Sequence, residues 1–385
     1  MKKLLFIIPS LETGGTISSL NSIYKRCHEK WDIYVLPLSL YGSANVNFPE
    51  KIIRPDALTE LYIANYSTFS GYKKVLGLLI KIIKRLLLGL HVNILDAVCS
   101  RTISRIERKI SFDTVIGFQE GISTLVASHS ISRRKIAWVH CNYDYYIREC
   151  PDEDGMYLKF DKVIAVSKFT SETLKNRFPT IRDRIGYIYN ICNSEEIIAK
   201  SKEEIKDKKF DNSLFTIISV GRVNTIKRFR EIPKISKELQ ENGITFRWYV
   251  IGPRDETDEW DILMRNITEY KQEHNVMCLG GKRNPYPYFK KADLMVCLSE
   301  SEACPMIFNE ARILGLHVIT TDFCSAFEFI ESDQTGSISN INNIGKAIAK
   351  QVQSVSDGSV TKTETVKINS MNNVIIQQIS KLFNN

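Results

Sequence analysis

The sequence predicts an α/β protein of two doubly wound domains facing each other across a cleft, on three observations. Short apolar runs rich in β-branched residues alternate with helix-length stretches along the whole chain, as in parallel sheets covered on both faces. The alternation runs once, lapses in a charged stretch, and starts again. The 385 residues, 43% apolar and 25% charged, suffice for two ordinary cores.

The first half opens on a buried strand, Leu4–Ile8. Its apolar run is too short for a signal peptide, Pro9 stops it, and no small-residue cleavage site follows. A glycine turn, Thr13-Gly14-Gly15, leads into a helix over Ile17–Cys27. Further strands are predicted at Ile33–Leu36, Thr114–Ile116, Lys135–Val139 and Lys162–Val166. The hinge falls in 186–212, where Ser194–Asp211 is charged and has no strand signal.

The second half repeats the alternation. Strands are predicted at Leu214–Val220, Phe246–Ile251, Val276–Leu279, Asp293–Leu298 and His317–Thr320. Helices are predicted at Arg230–Gln240, Asp261–Glu273 and Phe308–Leu314, the last stopped by Gly315. Val374–Phe383 has helical periodicity and reads as a terminal helix packed back on the body. The predicted domains are therefore 1–188 and 189–365, with a C-terminal helix at 366–385 returning to the first.

Charge is unevenly divided. Residues 1–190 hold 27 Lys and Arg against 18 Asp and Glu, a net +9, and the remainder carries −1. The first half is thus the one to meet an anionic partner, a phosphate-bearing acceptor or a membrane surface. Within it, Tyr72–Leu90 reads YKKVLGLLIKIIKRLLLGL. Lys74, Lys81, Lys84 and Arg85 fall near one face at helical spacing, with Leu and Ile over the rest. That suits a helix lying in an anionic bilayer surface; the alternative is a core helix whose lysines reach out to water. It is too charged to span a bilayer.

Nine scattered cysteines form no CxxC pair and no zinc-spaced cluster, so they read as reduced thiols of a cytoplasmic protein. No basic stretch interleaves with aromatics as in a nucleic-acid module. No G-x-G-x-x-G follows either opening strand, which disfavours a nicotinamide dehydrogenase.

The stretch that carries chemistry is Ser299 to Ala311. It follows a predicted strand and enters a helix, so Glu302 lies at a carboxyl strand end, where open α/β sheets bind ligands. Glu310 lies one to two turns into the helix on the same side. Backbone N–H groups of Ala303, Cys304, Met306 and Ile307 (Pro305 has none) stand at the helix's positive end, a site for a diphosphate or a sugar hydroxyl. Earlier, the strand ending at Gly221 is followed by Arg222 and, five residues on, Lys227. Two cations there suit a pyrophosphate, Arg binding bidentately and Lys as a point charge. Gly14 and Gly15 allow a backbone or ligand to come close.

Together these residues resemble retaining glycosyltransferases of family 4, which have the GT-B fold of two Rossmann-like domains. The resemblance covers most of the chain and is strongest from Ser219 to Gly336. Its core is the Glu-x7-Glu pattern of Glu302 and Glu310 with Ser299 three residues before, supported by Gly221-Arg222 and Lys227, and by His317-Val318-Ile319-Thr320-Thr321. Gly14-Gly15, His140 at the end of its strand, and Val166-Ser167-Lys168-Phe169 are also family-like. Ala303 stands where the family usually has glycine.

The resemblance implies a UDP-sugar donor and a glycan acceptor; the basic first half and the Tyr72–Leu90 segment suggest that the acceptor is lipid-diphosphate-linked, as in surface or capsular polysaccharide assembly. Arg222 and Lys227 would hold the diphosphate, Glu310 the ribose, and Glu302 the transferred sugar. His140 would touch that sugar, and Gly14-Gly15 would sit beneath the phosphates or the acceptor. It implies no metal and no cofactor. The open alternatives are a sugar-nucleotide epimerase on the same fold and a non-catalytic nucleotide-sugar-binding subunit.

Overall fold

The computed structural model describes every residue except Thr13, 43–45, Asn47, 64–68, 90–93, Glu256, 331–335, 358–368 and Asn385. Thr13, Leu90 and residues 366–368, which the sequence placed in the glycine turn, the basic segment and the final helix, lie outside the described residues. The chain divides into two compact units, Met1–Ile191 with Val374–Asn385, and Cys192–Asn373.

The first unit's sheet is built from β1 (Lys3–Ile8), β2 (Asp32–Pro37), β3 (Thr114–Gly117), β4 (Arg134–Val139), β5 (Lys162–Ala165) and β6 (Ile185–Tyr187). All pair in parallel, in the order β2-β1-β3-β4-β5-β6. Leu4 to Ile8 of β1 are fully buried, because helices cover both faces of a parallel sheet. One face packs Leu5, Ile7, Val115, Ala137 and Val139 into a continuous core.

The second unit has β7 (Phe215–Val220), β8 (Phe246–Ile251), β9 (Val276–Gly280), β10 (Leu294–Cys297), β11 (His317–Thr321) and β12 (Gly336–Ser339). The order is β12-β11-β10-β7-β8-β9, again all parallel. In both units the strand order reverses beside the first strand, between β1 and β3 and between β7 and β10. Such reversals open a crevice at the carboxyl strand ends, which is where this topology binds ligands.

All ten expected strands are present among the described residues. β6 and β12 were not expected: Ile-Gly-Tyr and Gly-Ser-Ile-Ser are short and weakly apolar, and each is an edge strand paired with one neighbour. Ser194–Lys200, expected as hinge, is a helix capped by Asn193, whose side chain accepts from Glu196 N.

The final helix, Asn369–Asn384, seats Phe383 edge-on against Phe6 and Trp31 of the first unit. Its last carbonyls accept from Lys2 Nζ and an Arg134 guanidinium N–H, cations matched to a helix's negative end. Before that helix leaves the second unit, the buried Asn372 amide bridges the Cys192 backbone, donating to its oxygen at 2.7 Å and accepting from its N–H at 3.3 Å. Asn372→Ala orphans both buried groups and is expected to lower unfolding stability by about 1–3 kcal/mol in urea titrations. An unchanged midpoint would show that water replaces the amide.

Candidate active site

In the second unit the strand reversal brings two loops together. β7 ends at Gly221, whose φ of 153° favours glycine. The next strand ends equally close: a Cβ on Gly252 would lie 1.7 Å from the Gly221 carbonyl oxygen. The chain then makes one helical turn, Thr225–Lys227, with Asn224 Oδ1 accepting from Lys227 N at 3.2 Å. This turn folds the Lys227 side chain back over Gly221, where a Cβ would meet Lys227 Cε at 3.1 Å.

The loop after β10 meets it. Glu300 N donates to Ile226 O at 2.8 Å, and Arg228 pairs with the Glu300 carboxylate at 3.0 Å. Arg228 closes the Thr225–Lys227 turn in the left-handed conformation, φ 51°. Two residues on, Glu302 Oε1 accepts from Ser299 Oγ at 2.7 Å and is ion-paired with Lys227 Nζ. Ser325 Oγ fixes the backbone there, donating to Glu302 O at 2.6 Å. The two paired side chains are 20% and 16% exposed. Burial works against the Lys227 charge, but the Glu302 carboxylate outweighs it and holds the ammonium above its ordinary pKa. Arg222 is exposed, and its charge is close enough to act on Lys227.

Glu310 lies in the helix Met306–Ile313. The Tyr286 hydroxyl donates to its Oε1 at 3.1 Å. Burial raises the Glu310 carboxyl to about 7, with the Tyr286 hydrogen bond pulling the other way. The buried Cys192 thiol is pushed well up by burial and by this carboxylate. Of the loop residues, Cys304, Met306 and Ile307 are half-buried, whereas Ala303 and Pro305 are buried.

Tyr286 escaped the sequence reading. A local signal for its helix existed in Pro285, a residue favoured at helix starts, and Asn284 Oδ1 accepts from Tyr286 N at 3.2 Å. Nothing local showed that the ring would point at a residue 24 positions away.

In the first unit, His140 follows β4 and its backbone N–H donates to Glu120 Oε2 at 2.8 Å. Its ring lies edge-on to Phe118, centroids 4.6 Å apart. Nε2 is buried with no hydrogen-bond partner among the described residues. Burial lowers its pKa to about 3, so the imidazole is neutral at physiological pH. Gly14 is extended, φ 177°, and, its chain neighbours aside, no atom of the described residues lies within 4 Å of a Cβ placed on it. Neither packing nor backbone strain therefore requires glycine at that position. Gly15 begins the helix Gly15–Cys27.

Residues 200–370 match the family model described as glycosyl transferases group 1. The chain is 27% identical over 191 residues to the N-acetylgalactosamine-N,N'-diacetylbacillosaminyl-diphospho-undecaprenol 4-alpha-N-acetylgalactosaminyltransferase of Campylobacter jejuni, 49% of each chain. It is 25% identical over 231 residues to the capsular polysaccharide biosynthesis glycosyltransferase CapM of Staphylococcus aureus, 57% of this chain and 59% of that one. The chain spans about half the length of these curated relatives. The crystal structure of Anabaena HepE in complex with UDP and glucose shares the fold at TM-score 0.71, with 14% identity over 100% of both chains.

Proposed function

We propose that this chain, whose residues 200–370 match the glycosyl transferases group 1 model and whose fold is shared with the HepE structure, is a GT-B glycosyltransferase that transfers a sugar from a UDP-linked donor to a glycan or lipid-diphosphate-linked acceptor. The configuration at the sugar carbon is retained, as in family 4, and the product is a surface polysaccharide. The observation that carries the reading is the Lys227–Glu302 pair at the β7/β10 reversal, in the same unit as Arg222 and Glu310.

In this reading the pair is the resting arrangement. A donor diphosphate takes the Lys227 ammonium and the Arg222 guanidinium, releasing Glu302 to accept from sugar hydroxyls. Glu310 exchanges the Tyr286 hydroxyl for ribose hydroxyls. The bond from the sugar carbon to the diphosphate oxygen breaks, and the bond to the acceptor oxygen forms on the same face. The acceptor's proton passes to the departing phosphate. Fixed cations stabilise the charge growing on that phosphate, usually the largest catalytic contribution. Arg222 and Lys227 take the part a metal would play, and no cofactor enters.

The neutral His140 is the first unit's candidate partner for a substrate hydroxyl, through its unpartnered Nε2. His140→Phe fills the same space, so Tm is expected to hold while turnover falls roughly a hundredfold, the scale of one lost polar contact to the transition state. Because its pKa is near 3, His140 contributes no titration between pH 5 and 8 to the wild-type rate. An acceptor of the lipid-linked kind would be met at the cytoplasmic face of a membrane.

The test is thermal shift and donor hydrolysis across a panel of nucleotide sugars. Stabilisation and slow hydrolysis by one UDP-sugar is the expected result, with stabilisation lost in Glu310→Ala and hydrolysis lost in Lys227→Ala. Stabilisation without any turnover, with or without acceptor, would move the assignment to a nucleotide-sugar-binding subunit. Turnover independent of any acceptor, giving an isomeric nucleotide sugar, would indicate an epimerase.

A further inference from the structure

The helix Gly71–Gly89 is docked the opposite way round from an ordinary surface helix. Among its side chains described, to Leu86, the face turned to its own unit is Lys73, Gly77, Ile80 and Lys84, at i, i+4, i+7 and i+11. Lys73 pairs with Glu60 at 3.3 Å. Lys84 Nζ donates to Tyr62 O at 3.0 Å and sits 4.1 Å over the Tyr62 ring, and burial lowers its pKa. This corrects the expectation that Lys84 shares an outward basic face with Lys74, Lys81 and Arg85.

The outward side is apolar. Val75, Leu78, Leu79, Ile82, Ile83 and Leu86 are each 43–64% exposed, and Tyr72 is 74% exposed. At about 100° per residue these side chains form a contiguous arc of nearly half the circumference. The exposed Lys74, Lys81 and Arg85, at i, i+7 and i+11, run as one stripe along the edge of that arc. No acidic residue occurs in Gly71–Gly89. Contiguous apolar surface of this kind marks an interaction site. Its occupant has to be apolar over the arc and anionic along one edge. A second copy pairing helix on helix supplies apolar surface but no anion for the stripe. No helix of the described residues is long and apolar enough to cross a membrane.

We propose that Gly71–Gly89 lies in the plane of an anionic bilayer surface, its apolar arc in the acyl boundary and the Lys74–Lys81–Arg85 stripe among the lipid phosphates. Lys73 and Lys84 fasten the helix to the first unit. This deepens the proposed function by orienting the surface at which a lipid-linked acceptor is met; it rests on that reading for its purpose, while attachment itself needs neither donor nor acceptor.

The test is flotation of the full chain with vesicles of phosphatidylcholine alone or mixed with phosphatidylglycerol, at low and high salt. The wild type is expected to float with the mixed vesicles and to be released by salt. Leu79→Glu/Ile82→Glu is expected to abolish flotation. Lys74→Ser/Lys81→Ser/Arg85→Ser is expected to weaken it roughly a hundredfold and remove its salt dependence, since each cation near such a surface contributes about a factor of five. All these side chains are exposed, so Tm and stabilisation by a UDP-sugar should be unchanged, which separates lost attachment from lost folding. No flotation of the wild type overturns the proposal, as does a dimer in light scattering that Leu79→Glu/Ile82→Glu dissociates. If vesicles bind and no nucleotide sugar does, the proposed function falls and the membrane surface stands. The converse result leaves the function standing and removes the membrane surface.

Discussion

Lys227→Met is expected to lower the rate of sugar transfer by two to three orders of magnitude, with the donor's Kd changed far less. The ammonium's partner in the resting protein is Glu302. In the proposed reaction it meets a phosphate whose charge grows as the bond breaks, so its effect falls mainly on the transition state. The substitution also removes one member of a largely buried pair, leaving Glu302 with the Ser299 hydroxyl. Stability should therefore fall too, by roughly 1–3 kcal/mol, less than for a fully buried pair. The double variant Lys227→Met/Glu302→Gln separates the two effects. It leaves no uncompensated charge, so Tm should return close to wild type while activity stays lost. Recovery of activity along with Tm would make Lys227 a structural residue. The raised pKa keeps Lys227 protonated throughout the physiological range, so it sets no limb of the pH–rate profile.

Glu310→Gln is expected to make the free protein more stable above pH 7 while weakening the donor. Burial raises this carboxyl from 4.5 to about 7, so the folded state holds the proton more tightly than the unfolded chain. The stability linked to that proton is complete below about pH 4.5 and is lost as pH rises through 7. At pH 8 the wild type carries a desolvated carboxylate, and glutamine does not. The gain should be on the order of 1–3 kcal/mol at pH 8 and should vanish toward pH 4.5. The same carboxylate is the proposed acceptor for ribose hydroxyls. Wild-type affinity for UDP should therefore rise as pH crosses 7 from below. The variant should bind about ten- to a hundredfold more weakly at pH 8, as expected for lost hydrogen bonds to a charged group. Calorimetric titration at pH 6 and pH 8, beside melting curves at both, reads all of this. Equal UDP affinity at the two pH values would remove Glu310 from the nucleotide site.

The second unit's part of the candidate site was legible because its residues are near in sequence and sit where topology puts ligands. Gly221, Arg222 and Lys227 end one strand, Glu302 ends the neighbouring one, and Glu310 follows within the next helix. A strand that stops at glycine before a cation, and a helix that starts after a carboxylate, are local statements. Chemistry that depends on a partner far along the chain was not legible. Tyr286 reaches Glu310 only after the loop behind β9 and the helix behind β10 are laid on one sheet.

The amphipathic segment divides the same way. Helical periodicity in 71–86 separates apolar from basic residues, and a 3.6-residue repeat is enough for that. Periodicity is silent about which side docks. That was settled by Glu60, the Tyr62 carbonyl and the Tyr62 ring, which draw Lys73 and Lys84 inward and turn the leucines out. Ten strands, two sheets and the candidate-site spacings follow from short-range pattern, because burial on both faces demands continuous apolar runs. Strand order, the Lys227–Glu302 pair, the orphaned Nε2 of His140 and the outward apolar arc follow from long-range packing, because they depend on which neighbour each side chain meets.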